Sequence, residues 1–247
     1  MRAARPPNRR GDIAAHDKMA RMIRAFFVSA ARSNAPRFAM TIGPVHSCEF
    51  FRRSGFFCRH DFLDVSARAA LMKQVQSTAP ARAGVFAGGL TPVVDVTVRN
   101  TWQLPLGDGP ALAVAARIGA LRPELSEHFR VPLVGHEGPT FLKYQPGGFY
   151  EPHADRSDND ELEIAPVRRR VSVVIFLNAM RTPPGDAEYA GGALTFYGIV
   201  DDPAWRTFGF ALQPDPGLLV AFPSRVVHEV TPVMAGERYT IVDWFTA

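Results

Sequence analysis

Residues 140–155 read Thr140-Phe141-Leu142-Lys143-Tyr144-Gln145-Pro146-Gly147-Gly148-Phe149-Tyr150-Glu151-Pro152-His153-Ala154-Asp155. Two short β-like runs, 140–144 and 150–155, stand on either side of a Pro-Gly-Gly break, the punctuation of a turn between strands. Downstream the same texture repeats. Strand-like runs at 171–177, 193–197, 217–222, 226–230 and 239–245 are separated by breaks such as Pro183-Pro184-Gly185, Gly191-Gly192 and Ala235-Gly236. Many short strands with little helix between them predict a mostly β domain whose antiparallel sheets are closed or sandwiched.

Helical patterns lie upstream. Asp64 is a candidate cap for a helix on which Val65, Ala69, Met72 and Val75 share a face. The run 92–98 alternates, with Val94, Val96 and Val98 on one side, and predicts a strand. Asp108 and Pro110 open a second helical pattern with Val114, Ile118, Leu121 and Leu125 as its stripe. Pro123 falls inside that stripe and predicts a kink or two shorter helices.

A chain of 247 residues is ample for one domain with a buried core, and 47% hydrophobic with 21% charged residues excludes global disorder, collagen and coiled coil. The net charge of +4 is unevenly held. Residues 1–39 carry nine Lys/Arg against Asp12 and Asp17, a balance of +7, which leaves −3 for the rest. The chain therefore divides into a basic extension over 1–40 and a slightly acidic domain over 41–247, and no nucleic-acid partner is expected of that domain. In the extension Met19, Ile23, Phe26 and Phe27 fall at helical spacing among arginines. It reads as a loose tail, a targeting or surface-binding segment, or translation upstream of the true start. No apolar run approaches the ~20 residues that cross a bilayer, so no transmembrane segment is expected. Cys48 and Cys58 are too few for a disulfide scaffold and suggest a reducing, cytoplasmic setting.

The chemistry-bearing residues begin with His153 and Asp155. Residues i and i+2 of a strand face one way, so this imidazole and this carboxylate converge. His228 stands on another predicted strand, 226–230. Two His and one carboxylate compose a facial triad, the ligand set suited to Fe(II) with open coordination positions. The H-E-x-x-H signature of helical zinc hydrolases is absent. Arg238 opens the last strand, where alternation puts Arg238, Thr240, Val242 and Trp244 on one face. An arginine pointing into an apolar β core is costly unless an anion meets it. Its planar fork suits a carboxylate.

At these residues the sequence resembles the Fe(II)/2-oxoglutarate-dependent dioxygenases, specifically their prolyl 4-hydroxylase-like branch. The resemblance is carried by 141–150 running into Pro152-His153-Ala154-Asp155, by 170–178, by 191–196, and by Pro223-Ser224 through His228-Glu229-Val230 to Gly236-Glu237-Arg238-Tyr239. It covers residues 135–247 in order and spacing. It implies a double-stranded β-helix (jelly-roll) core, with N-terminal helices packed outside. It also implies that His153, Asp155 and His228 bind Fe(II) and that Arg238 pairs with the distal carboxylate of 2-oxoglutarate. Tyr144 would line the co-substrate pocket and Trp244 would wall it. The sequence departs from the pattern at Phe176, where some prolyl hydroxylases place a tyrosine. Phe176 cannot donate a hydrogen bond to the co-substrate; either Thr240 or Tyr144 does so instead, or the pocket binds the co-substrate more weakly. The implied reaction consumes O2 and 2-oxoglutarate, hydroxylates a C–H bond and releases succinate and carbon dioxide, with ascorbate as reductant. A peptide or small amino-acid-like substrate is expected, read by the loops 156–169, 180–190 and 201–213.

Two other readings use the same residues. A base-flipping nucleic-acid demethylase shares the triad and the arginine, but carries a second Arg where this chain has Trp244. A jelly-roll protein that senses or binds a metal without turnover has no particular need for Arg238.

Overall fold

The computed structural model describes residues 45–85, 91–156 and 165–247. The basic extension over 1–40 lies outside the described residues, as do Asp158, Asp160, Glu161 and Glu163 of the charged loop expected to face substrate.

Short helices and strands alternate in the first half of the domain. They are α1 (Cys48–Arg53), β1 (Phe57–Arg59), α2 (Val65–Ser77), β2 (Ala81–Arg82), β3 (Arg99–Asn100), β4 (Trp102–Leu104), α3 (Asp108–Gly119) and α4 (Arg122–Phe129). The second half is nearly all strand: β5 (Gly135–His136), β6 (Thr140–Tyr144), β7 (Phe149–His153), the single turn α5 (Ala165–Arg168), β8 (Arg169–Phe176), β9 (Tyr189–Gly191) and β10 (Leu194–Phe196). It closes with β11 (Phe210–Ala211), β12 (Leu219–Pro223), β13 (His228–Val230), β14 (Val233–Gly236) and β15 (Arg238–Thr246).

An eight-stranded sheet runs β1-β12-β8-β15-β6-β4-β2, with β5 also on β15. A five-stranded sheet runs β11-β10-β13-β7-β3, and β14 and β9 form a small ribbon. Their strand pairings are antiparallel. The domain is thus mostly β, with the antiparallel make-up of a jelly-roll oxygenase fold.

The larger sheet is buried on both faces, and the period of two divides its side chains between two cores. Val173 and Ile175 of β8, Leu219 and Ala221 of β12, and Ile241 and Phe245 of β15 enter one cluster with Leu71, Val75, Val114, Ile118, Leu121 and Leu125 from the helices. Val174, Phe176, Val220 and Phe222 point the other way, into a cluster with Leu194, Phe196, Phe210 and Val230 of the smaller sheet. Burial on both faces is why 171–177 is apolar at every position but Ser172 rather than alternating.

Pro123 sits in the first turn of α4 and separates it from α3, so the single stripe Val114-Ile118-Leu121-Leu125 is delivered by two helices. Three sequence expectations need correction. Asp64 does cap α2, accepting from the Ala67 N–H at 2.8 Å, but Val65 is 74% exposed and Ala69 is exposed too. Leu71 and Val75, in the C-terminal half, are the fully buried residues, with Ala67 and Met72 partly buried against the same core. Residues 92–98 are not a strand beyond a single bridge from Val93 to Val85. The Asp95 carboxylate accepts from the Thr97 N–H and hydroxyl, and its carbonyl accepts from Val98 and Arg99. That local turn wins over the ladder and leaves Val94 and Val96 exposed. The third correction is at the site itself: β7 ends at His153 and β13 begins at His228, each shorter than the sequence pattern suggests.

Candidate metal centre and anion pocket

His153 and His228 are 75 residues apart in sequence and directly opposite each other across the β7–β13 pair. Sheet register therefore brings the two imidazoles together. Asp155 lies two residues past the end of β7, so strand alternation does not aim it. The chain bends there, and the Arg156 N–H donates to the Ser224 carbonyl at 3.0 Å, holding the bend against the end of β12. The carboxylate returns to the imidazoles, 3.6 Å from His153 Nε2 and 3.5 Å from His228 Nε2. One ligand atom from each of the three side chains lies within 4.8 Å of the others.

Both rings are oriented by backbone. His153 Nδ1 donates to the Glu151 carbonyl at 2.7 Å and His228 Nδ1 to the Val226 carbonyl at 2.9 Å. A carbonyl only accepts, so each Nδ1 carries a proton, and each Nε2 is the atom turned toward Asp155. Tyr150 stacks on His153 with ring centroids 3.5 Å apart, and Phe222 packs edge-on against His228 at 4.9 Å. Burial pushes the His228 pKa down to about 4, helped by the charge of His153, while Asp155 opposes. Burial works to raise the Asp155 carboxyl, but the two imidazoles outweigh it and hold it well below the ordinary carboxylate range. The arrangement therefore offers two imidazole nitrogens and one ionised carboxylate from a largely buried cluster. That donor set fits a divalent first-row metal.

Arg238 is 1% exposed, the first residue of β15. Register sets Tyr144 opposite it on β6, and Phe176 of β8 opposite Thr240. The guanidinium carbon lies 4.9 Å from the Tyr144 ring centroid and 5.4 Å from that of Phe176. One terminal nitrogen donates to Thr240 Oγ1 at 3.2 Å, and Nε has no hydrogen-bond partner among the described residues. Among the described residues no carboxylate stands within ion-pair distance of this buried cation. Asn178 fixes the start of β15 from both sides, donating to the Glu237 carbonyl at 2.8 Å and accepting from the Tyr239 N–H at 2.9 Å.

Arg238, Thr240 and Tyr144 are thus brought together, and Trp244 is not part of that group. It stands six residues along β15, roughly 20 Å by strand rise. There its ring carries the Arg169 guanidinium at 3.7 Å, which is itself forked onto Glu137 by two 2.7 Å hydrogen bonds. One residue beside Arg238 escaped the sequence reading. Tyr189 is fully buried, its hydroxyl makes no hydrogen bond of good geometry among the described residues, and it directly precedes the Ala190-Gly191-Gly192 turn. The only sequence signal was that adjacency to a double glycine.

The chain is similar to known proteins of one superfamily. Residues 139–246 match the model of the 2OG-Fe(II) oxygenase superfamily. Over those residues the chain is similar to that superfamily, and the similarity is of the prolyl 4-hydroxylase-like kind. A PKHD-type hydroxylase of Shewanella oneidensis is 28% identical over 179 residues, covering 70% of this chain and 71% of its own. Two solved structures share the fold. A prolyl-4-hydroxylase of Pseudomonas putida aligns with TM-score 0.57 and 23% identity, over 80% of this chain and 95% of that one. A prolyl hydroxylase of Trichoplax adhaerens, in complex with a hypoxia inducible factor oxygen degradation domain peptide fragment, aligns with TM-score 0.59 and 21% identity, over 80% and 86%. Among the described residues no helix is long and apolar enough to cross a membrane.

Proposed function

We propose that this chain is a 2-oxoglutarate-dependent hydroxylase acting on a C–H bond of a peptidyl or amino-acid-like substrate. In this reading His153, Asp155 and His228 hold Fe(II), Arg238 holds the distal carboxylate of 2-oxoglutarate, and Tyr144 and Thr240 complete that end of the pocket. Fe(II) so held supplies the activation of O2 and the oxidative decarboxylation of 2-oxoglutarate to succinate and carbon dioxide. The protein's own part is positional. The backbone-anchored imidazoles keep their lone pairs turned inward, and the buried Asp155 stays ionised as a third ligand. Phe196, Phe222 and Tyr150 keep water from the ring faces of the two histidines. Trp244 with its Arg169 cover closes the far end of the same β15 face.

The observation that carries the reading is the pairing of the three-ligand cluster with a buried, anion-free guanidinium on the facing sheet. A metal sensor without turnover explains the first and not the second, because a lone buried Arg costs stability unless an anion enters. The demethylase reading is weakened by Trp244 in place of a second arginine and by the acidic balance of the domain. A peptide substrate is supported by the peptide complex of the Trichoplax neighbour.

The test is direct. Purified protein with Fe(II), ascorbate and 2-oxoglutarate is expected to release succinate slowly, and faster with a substrate whose mass rises by one oxygen. His153→Ala and His228→Ala are each expected to abolish release; full turnover in either variant contradicts the assignment.

A further inference from the structure

Phe176 leaves the co-substrate end of the pocket one hydroxyl short of the tyrosine-bearing pattern, and the structure holds a candidate replacement on a different element. Tyr189 belongs to β9, in the small ribbon, and not to the strands that line Arg238. Gly192 joins the two. With φ of +61°, its Cα faces both side chains, and the place its Cβ would need lies 3.1 Å from Arg238 Cδ and 3.5 Å from Tyr189 Cε2. The tyrosine ring and the arginine stem are therefore packed side by side over a glycine. At this one spot two buried donors are idle, Arg238 Nε and the Tyr189 hydroxyl. Buried polar groups in folded proteins are nearly always paired, and an unpaired one costs about 1–3 kcal/mol. Two adjacent orphans, both donors, one of them cationic, mark the place of a missing shared acceptor.

Taking the proposed co-substrate site as given, we infer that Tyr189 is a binding residue for 2-oxoglutarate, its hydroxyl donating to the distal carboxylate beside Arg238. The role that a tyrosine at position 176 would fill passes to β9. Burial raises the Tyr189 pKa while the neighbouring guanidinium opposes that rise, so the hydroxyl keeps its proton at neutral pH and remains a donor. Thr240 already accepts from Arg238, and Tyr144 presents its ring to the guanidinium. Tyr189 is the group whose donor capacity is wholly unspent.

The experiment is calorimetric titration of the Mn(II)-loaded full chain, without O2, with two ligands. 2-Oxoglutarate has the distal carboxylate and 2-oxobutyrate lacks it. Tyr189→Phe is expected to weaken 2-oxoglutarate about tenfold, equivalent to about 1.4 kcal/mol, and to leave 2-oxobutyrate unchanged. The metal-free variant is expected to melt no lower than wild type, because an unpaired buried hydroxyl has been removed. Unchanged affinity for 2-oxoglutarate, equal weakening of both ligands, or a lowered melting temperature would each overturn the inference. Failure of wild type itself to bind 2-oxoglutarate would remove the underlying site reading, and it is seen without any variant.

Discussion

At the residue scale the site depends on side chains held by neighbours that do no chemistry. His153 and His228 owe their tautomers to two backbone carbonyls, and Arg238 owes its position to a residue with no side chain. A Cβ on Gly192 would come within 2.8 Å of Val233 Cγ2 as well as crowding Arg238. Gly192→Ala is therefore expected to cost about 1–3 kcal/mol in denaturant unfolding, through overpacking and a left-handed backbone. It should also weaken 2-oxoglutarate binding; an unfolding free energy equal to wild type would contradict the packing described. That His153, Asp155 and His228 would come together and that Arg238 would point inward was legible in the sequence because their types and spacing are specific. Tyr189 was not. Nothing in a run of residues shows that the ribbon carrying β9 folds against the start of β15, and a buried tyrosine is by default a core residue.

At the element scale, β15 carries both halves of the account. Its even residues Arg238 and Thr240 face the pocket, and its odd residues Ile241 and Phe245 face the helices. The two faces are energetically separable. Ile118→Ala, in the fully buried stripe of α3, is expected to cost about 2–5 kcal/mol of stability while leaving metal affinity within twofold. Val94→Ser, on the exposed loop, should change stability by less than about 0.5 kcal/mol. A large loss at Val94 would show that the turn around Asp95 had been misread. The helical stripe and its break at Pro123 could be read in advance because 3.6-residue periodicity and proline are local signals. The strand wrongly expected over 92–98 failed for an equally local reason: Asp95 and Thr97 satisfy each other and the backbone before a ladder can form. Asp155 illustrates a third case. Its place beside His153 was expected on a strand argument, yet a bend anchored by Ser224 aims it.

At the scale of the whole molecule, the site ties together segments that otherwise meet only through the sandwich. His153 ends one strand and Asp155 follows it, His228 opens another, and Arg238 lies in the opposite sheet. A ligand that binds the folded state alone stabilises it by about 2.7 kcal/mol at a hundredfold excess over its Kd. Divalent metal is accordingly expected to raise the melting temperature of the full chain, EDTA to reverse the rise, and 2-oxoglutarate to add a further increment only when metal is present. The mostly β class was readable from many short runs and their turns. The assignment of each run to a sheet was not, because β13 and β7 are neighbours in space and 75 residues apart in sequence.

The central claim is that His153, Asp155 and His228 grip one ion. It is tested most directly by loading wild type and Asp155→Ala with Fe(II) without O2, removing unbound metal by gel filtration, and counting iron per chain. The account predicts one iron per chain in wild type and close to none in Asp155→Ala, with the variant still folded. Equal iron in the two proteins would contradict it.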